Sequence, residues 1–179
     1  ECVPHIAIVD PELPKSMPPK LTADTGLDAL THAIEAYTNQ GKNDYSDAVA
    51  IKAIQIIFKY LPRAYRNRED KEAKEKMHNA ATMAGLAFVN SAPCPGAAHG
   101  MGHSFGAIFH IPHGRAVGVF HPYTIQYNAK EAMEKYAKIA KAIGIEARTD
   151  EEAVKKLVDA IRDLMKKIGE PLTVKEMGI

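Results

Sequence analysis

Only one stretch of this chain reads as a β-strand. His5-Ile6-Ala7-Ile8-Val9-Asp10 is rich in β-branched residues and runs into a Pro-Glu turn. No later segment offers it a partner, and an unpaired strand is not a stable element. The run is therefore expected to be the remnant of a sheet lying upstream in a longer protein, in keeping with a first residue, Glu1, that is not methionine. Everything after it has to fold from helices. The expected class is all-α: a helical bundle carrying a short N-terminal strand remnant of a missing domain.

Residues 11–21 hold Pro11, Pro14, Pro18 and Pro19 and read as a linker rather than a helix. The expected division is residues 1–20 as strand remnant and interdomain linker, and residues 21–179 as one helical domain, incomplete at its C-terminus. Apolar spacing predicts a first helix over 24–37 and a second starting near Ser46, with a buried stripe of Ile51, Ile54, Ile57, Phe58 and Leu61. Pro62 should end or kink it. A third helix is expected over 70–89, its second half small enough (Ala80, Ala81, Ala84, Gly85, Ala87) for close approach. A loop with Pro93 and Pro95 follows over 90–98, then a short helix that breaks at Pro112. Helices over 113–127, 129–143 and 150–168 complete the chain, the last opened by a capping box from Thr149 to Glu152.

Composition narrows the function classes. The net charge is +1, with basic and acidic residues interleaved, so no nucleic-acid stripe is expected. No apolar run approaches the ~18 residues of a membrane span. The two cysteines, Cys2 and Cys94, form no disulfide framework, and a reducing cytoplasmic setting is the expectation.

The chemistry concentrates in residues 96–114, which hold His99, His103, His110 and His113. Five of the eight histidines lie between positions 99 and 121, a poor fit to chance. Histidine is the commonest metal ligand. Asp28 and His32 stand four apart on the first expected helix, which places them one turn apart on one face. His99 and His103 repeat that spacing. Gly100, Gly102, Gly106 and Gly114 each weaken a helix, a cost expected where a ligand or another backbone packs close.

Simpler readings exist for each residue. Thr25-x-x-Asp28 fits a loose capping box, and His32 could be a core histidine. His99-Gly-Met-Gly-His103 has the spacing of a zinc-protease motif, but Gly100 replaces the glutamate such a protease needs as its base. One carboxylate and several imidazoles would suit Fe(II) or Zn(II).

Residues 21–37, Leu-Thr-Ala-Asp-Thr-Gly-Leu-Asp-Ala-Leu-Thr-His-Ala-Ile-Glu-Ala-Tyr, closely resemble one signature of the iron-containing (group III) alcohol dehydrogenases. His99-Gly-Met-Gly-His-Ser-Phe-Gly with Ile111-Pro-His-Gly114 resembles the second. The resemblance implies the helical C-terminal domain of a dehydroquinate synthase-like fold, whose Rossmann-like N-terminal domain is absent here. It implies metal ligands at Asp28, His32, His99 and His113, a catalytic role for His103 near nicotinamide and substrate, and cofactor contacts from Leu13 and Met17. Glycerol dehydrogenases and dehydroquinate synthases, which share the fold, use three protein ligands for zinc; the histidine at position 32 favours the iron branch.

The implied reaction is NAD- or NADP-linked oxidation of an alcohol, or reduction of an aldehyde or ketone, at Fe(II) or Zn(II). The implied partners are that small molecule, the missing nucleotide-binding domain and a second copy of the chain. Nucleic acid and membrane are not among them. Two alternatives stand: a truncated or split-gene metal-binding domain without catalysis, and a zinc polyol dehydrogenase. His121 departs from the family pattern, which usually has an apolar residue before Pro122.

Overall fold

A computed structural model describes residues 5–91 and 96–179. Six α-helices run in order: α1 Pro19–Thr38, α2 Asp44–Arg66, α3 Lys71–Ser91, α4 Ala97–Phe109, α5 His113–Ala142 and α6 Asp150–Lys167. The all-α expectation holds. The strand remnant does not: residues 5–10 carry no strand, and no strand occurs among the described residues. The expected loop at 90–98 lies partly outside the described residues, as do Cys2 and Cys94. No described helix is long and apolar enough to cross a membrane.

Several boundaries differ for local reasons. α1 begins at Pro19, five residues before the expected start, because a proline in the first turn loses no helical hydrogen bond. Part of the proline-rich stretch also forms a 3₁₀ turn, Leu13–Ser16. α2 is capped by Asn43 rather than Ser46: Asn43 Oδ1 accepts from Ser46 N at 3.0 Å, and Ser46 Oγ accepts from Asn43 N at 2.9 Å. Pro62 does not end α2, which continues to Arg66. The two helices expected over 113–127 and 129–143 are present, joined end to end within α5 at a kink where the backbone leaves the helical range, at Ala132 (φ −132°). α6 starts as expected, with Thr149 Oγ1 accepting from Glu152 N.

α1 is the hub. It packs against α2, α3 and α5; α2 also lies on α3, while α5 carries α4 and α6. Between Thr22 and Tyr37 every residue is buried except Thr25, Asp28 and His32. A helix apolar nearly all round belongs inside a bundle, and here one polar stripe stays uncovered. Small residues permit the close packing. A Cβ on Gly26 would lie 2.3 Å from Leu61 Cδ1, and one on Gly114 would lie 1.9 Å from the Asp24 carbonyl oxygen. Gly102 is similarly tight against Val117, whereas Gly100 faces open space.

His121 sits inside this packing at 2% exposure. Its Nδ1 lies 3.3 Å from Thr31 Oγ1, whose own proton goes to the Leu27 carbonyl, so Nδ1 carries the hydrogen. Burial lowers its pKa to about 4, against the partial opposition of the Glu35 carboxylate. The ordinary value is 6.5, so the unfolded chain takes up this proton first as pH falls. The stability His121 contributes is complete above 6.5 and drains away between 6.5 and about 4.

In the full-length protein, Gly114→Ala should cost about 3 kcal/mol or more by denaturant unfolding, because backbone blocks the new methyl. Gly85→Ala, with nothing within 4 Å of the added Cβ, should instead stabilise by about 0.5–1 kcal/mol. Between pH 6.5 and 4.5, wild type should lose stability more steeply than His121→Gln, by up to about 1.4 kcal/mol per pH unit. Parallel pH profiles would exclude a buried neutral His121.

Candidate metal centre

Three helices bring the candidate ligands together around one oxygen. Asp28 and His32 lie on the uncovered stripe of α1, His99 at the start of α4, and His113 at the first position of α5. Asp28 Oδ1 is 3.3 Å from His32 Nδ1, 3.4 Å from His99 Nε2 and 3.3 Å from His113 Nε2. One donor atom each from Asp28, His99 and His113 fall within 4.8 Å of one another. His32 stands beside this trio rather than in it. Its Nδ1 also lies 3.0 Å from the Asp28 carbonyl, and its ring packs edge-on against Phe88 and against His99 at 4.2 Å.

The remaining expected residues are placed less tightly. His103, one turn beyond His99, is exposed, with its ring 5.1 Å from that of His113. His110 ends α4 in the left-handed region (φ 55°), its N–H bonded to the Gly106 carbonyl, so it serves as a C-cap. Leu13 is 73% exposed. The Met17 carbonyl accepts from Lys74 Nζ at 3.1 Å, and Met17 borders a small cavity with Pro14, Lys74 and His78. The capping reading of Asp28 fails: α1 starts at Pro19, and Thr25 Oγ1 donates back to the Leu21 carbonyl instead.

The electrostatics are those of an anion in a ring of imidazoles. Burial alone would raise the Asp28 carboxyl; the approach of His32, His99 and His113 outweighs it and holds the group well below the usual carboxylate range. Burial alone would lower His99, yet Asp28 and Glu35 push it up to about 9. His113 is lowered by burial and by the neighbouring imidazoles, partly offset by Asp28. Asp28 Oδ1 and His99 Nε2 are buried without a hydrogen-bond partner among the described residues. Buried polar atoms rarely remain so without reason. A tetrahedral ion with bonds of about 2.1 Å separates its ligands by about 3.4 Å, so this donor set fits a divalent Fe or Zn ion.

Two sets of supporting residues escaped the sequence reading. Glu35 accepts from His99 Nδ1 at 2.6 Å, from Gly96 N at 3.1 Å and from Ala98 N at 2.8 Å. Burial alone would raise its carboxyl, but the hydrogen bonds from His99 and from the Ala98 backbone N–H outweigh it and keep it lowered. The signal was its position seven residues after Asp28, on the same helix face. Arg115, two residues after His113, forms a fork on Glu170 (2.9 and 3.1 Å) and reaches Asp24 Oδ1 at 3.1 Å. That buried triad pins the start of α5 to α1.

Comparison with known proteins identifies the family and the fold. Residues 22–179 match the Fe-containing alcohol dehydrogenase family, C-terminal. An NADPH-dependent butanol dehydrogenase from Clostridium saccharobutylicum is 48% identical over 98% of this chain and 44% of its own length. The crystal structure of sulfoacetaldehyde reductase from Bifidobacterium kashiwanohense in complex with NAD+ superposes with a TM-score of 0.87 at 37% identity, over 98% of this chain and 45% of that one. A 1,3-propanediol oxidoreductase gives a TM-score of 0.90 at 37% identity, over 95% and 44%. The chain thus spans less than half the length of these relatives. It belongs to the iron-containing alcohol dehydrogenase family and corresponds to that family's helical C-terminal domain.

Proposed function

We propose that this chain is the metal-binding half of an NAD(P)-linked alcohol dehydrogenase. In the full-length protein it serves the oxidation of a small alcohol, or the reduction of an aldehyde or ketone. The observation that carries the reading is the convergence of three helices on Asp28 Oδ1, with imidazole nitrogens at 3.3, 3.4 and 3.3 Å. Family membership supports Fe(II) as the ion, with Zn(II) the alternative on donor chemistry. The NAD+ complex of one relative supports NAD(H), while the NADPH named in another keeps NADP open.

When bound, such an ion supplies Lewis acidity toward a substrate oxygen, and the nicotinamide carries the hydride chemistry. Asp28, His99 and His113 hold the ion, with His32 as fourth ligand. The site has one open side: His99 is buried, but the His113 side chain is 44% exposed. Substrate approaches there, beside the exposed His103, which positions it or relays its proton. Leu13 and Met17 lie on the segment that leads to the nucleotide-binding domain and flank the cofactor. That domain is the obligate partner, and a homodimer is the expected assembly. A three-ligand zinc site of the polyol dehydrogenase kind is the second reading, favoured by the position of His32 outside the convergent trio.

In the full-length protein, His99→Ala and His113→Ala should abolish stoichiometric metal uptake, measured by elemental analysis after dialysis. His32→Ala should weaken Fe²⁺ binding at least about tenfold; unchanged affinity would select the three-ligand reading. His103→Ala should keep the metal and lose about 10²–10⁴-fold in kcat for NAD(P)+-dependent alcohol oxidation. The chain expressed alone should take up metal without turnover, and dehydrogenase activity from it would overturn the assignment of the cofactor site to the missing domain.

A further inference from the structure

The imidazole of His99 faces a carboxylate at each end, both from one helix. Its Nε2 faces Asp28 Oδ1 at 3.4 Å, and its Nδ1 lies 2.6 Å from Glu35 Oε2. Asp28 and Glu35 are seven residues apart on α1, two turns along the same face. The ring is 2% exposed and Glu35 9%, so the Nδ1 contact is largely shielded from solvent. A carboxylate can only accept, and a short contact of this kind places the hydrogen on Nδ1. With an ion bound, Nε2 is then the nitrogen that presents its lone pair, on the side that faces Asp28 Oδ1.

Glu35 does a second job with the same atoms. Its two oxygens take up Gly96 N and Ala98 N, two of the donors at the start of α4 that no helical carbonyl satisfies. The contact is close enough to exclude a side chain: a Cβ on Gly96 would meet the Glu35 carboxyl carbon at 2.2 Å. The backbone that carries His99 and the ring of His99 are therefore fixed by one group, itself anchored on the helix that supplies Asp28 and His32.

We infer that Glu35 is the positioning residue of the metal centre, fixing both the Nδ1–H tautomer of His99 and the register of α4 against α1. The inference rests on the metal reading of the Asp28–His99–His113 site. It goes beyond the ligand set, because Glu35 touches neither ion nor substrate and acts through His99. Removing such a hydrogen bond to a ligating histidine typically costs 10–100-fold in metal affinity.

The test uses the full-length protein with Zn²⁺, its affinity measured by chelator competition at pH 7. Glu35→Gln, close to isosteric, cannot accept from the ring and from both backbone N–H groups at once. It should weaken Zn²⁺ binding about 10–100-fold, and Glu35→Asp, which keeps the charge, should recover part of that loss. In ¹⁵N-histidine-labelled, Zn-loaded wild type, the His99 Nδ1 proton should be strongly downfield and should move upfield in Glu35→Gln. A purely structural cap predicts otherwise: lower stability of the metal-free protein, with Zn²⁺ affinity and the Nδ1 signal unchanged. That result would overturn the inference while leaving the metal reading intact. A wild type that takes up no Zn²⁺ or Fe²⁺ would overturn both.

Discussion

One carboxylate oxygen organises this molecule. Asp28 Oδ1 faces imidazoles from three helices, each at 3.3 to 3.4 Å. An anion held that way requires α1, α4 and α5 to meet with little freedom. The surrounding structure supplies the constraint at several points. Gly114 lets the start of α5 press on the Asp24 carbonyl, where a methyl group has no room. Arg115 ties the same turn to Asp24 and Glu170. Such a charged triad contributes little net stability once desolvation is counted. Its effect is to fix where His113 begins its helix.

The placement follows from how α1 is buried. Its alanines, Gly26, Leu27, Leu30 and Ile34 are covered by α2, α3 and α5, and only the stripe of Thr25, Asp28 and His32 is left open. Two polar groups in the middle of a buried helix would be costly if unpaired. Here they occupy the single strip where other donors can reach them. Site and core are thus set by the same packing: the helix at the centre of the hydrophobic contacts also presents the ligands.

Much of this was legible in the residues, and the misses have physical causes. Four-residue spacings put Asp28 with His32 and His99 with His103, because helical geometry is local. The convergence of those pairs is tertiary, and only the family signature pointed to it. His110 lies in the same histidine-rich stretch without an assigned role, and it is spent on a left-handed helix end. Pro19 and Pro62 mislead in the same direction, each pointing to a shorter helix than forms. The first is a helix starter, and the second is tolerated inside α2 because packing against α1 and α3 outweighs one lost hydrogen bond. The strand expected at 5–10 fails for the reason given for doubting any lone strand: the described chain has no edge to pair with it. Glu35 was missed because a glutamate on a helix reads as a solvated charge, and its donors come from residues 96–99, far away in sequence.

Glu35 and His121 show how neighbouring buried groups settle on different charge states. Glu35 receives three donors, enough to keep a carboxylate ionised at 9% exposure. His121 has one partner, Thr31, and its Nε2 has none among the described residues. An imidazolium there would bury a second N–H without an acceptor, so the ring stays neutral. That neutrality matters to the centre. A charged His121 would compete for the Glu35 carboxylate, which is already committed to His99 and to the first turn of α4. An apolar residue at position 121 would leave the Thr31 hydroxyl with only its bond to the Leu27 carbonyl. A neutral histidine meets both requirements: it satisfies α1 from α5 and leaves the full charge of Glu35 to His99.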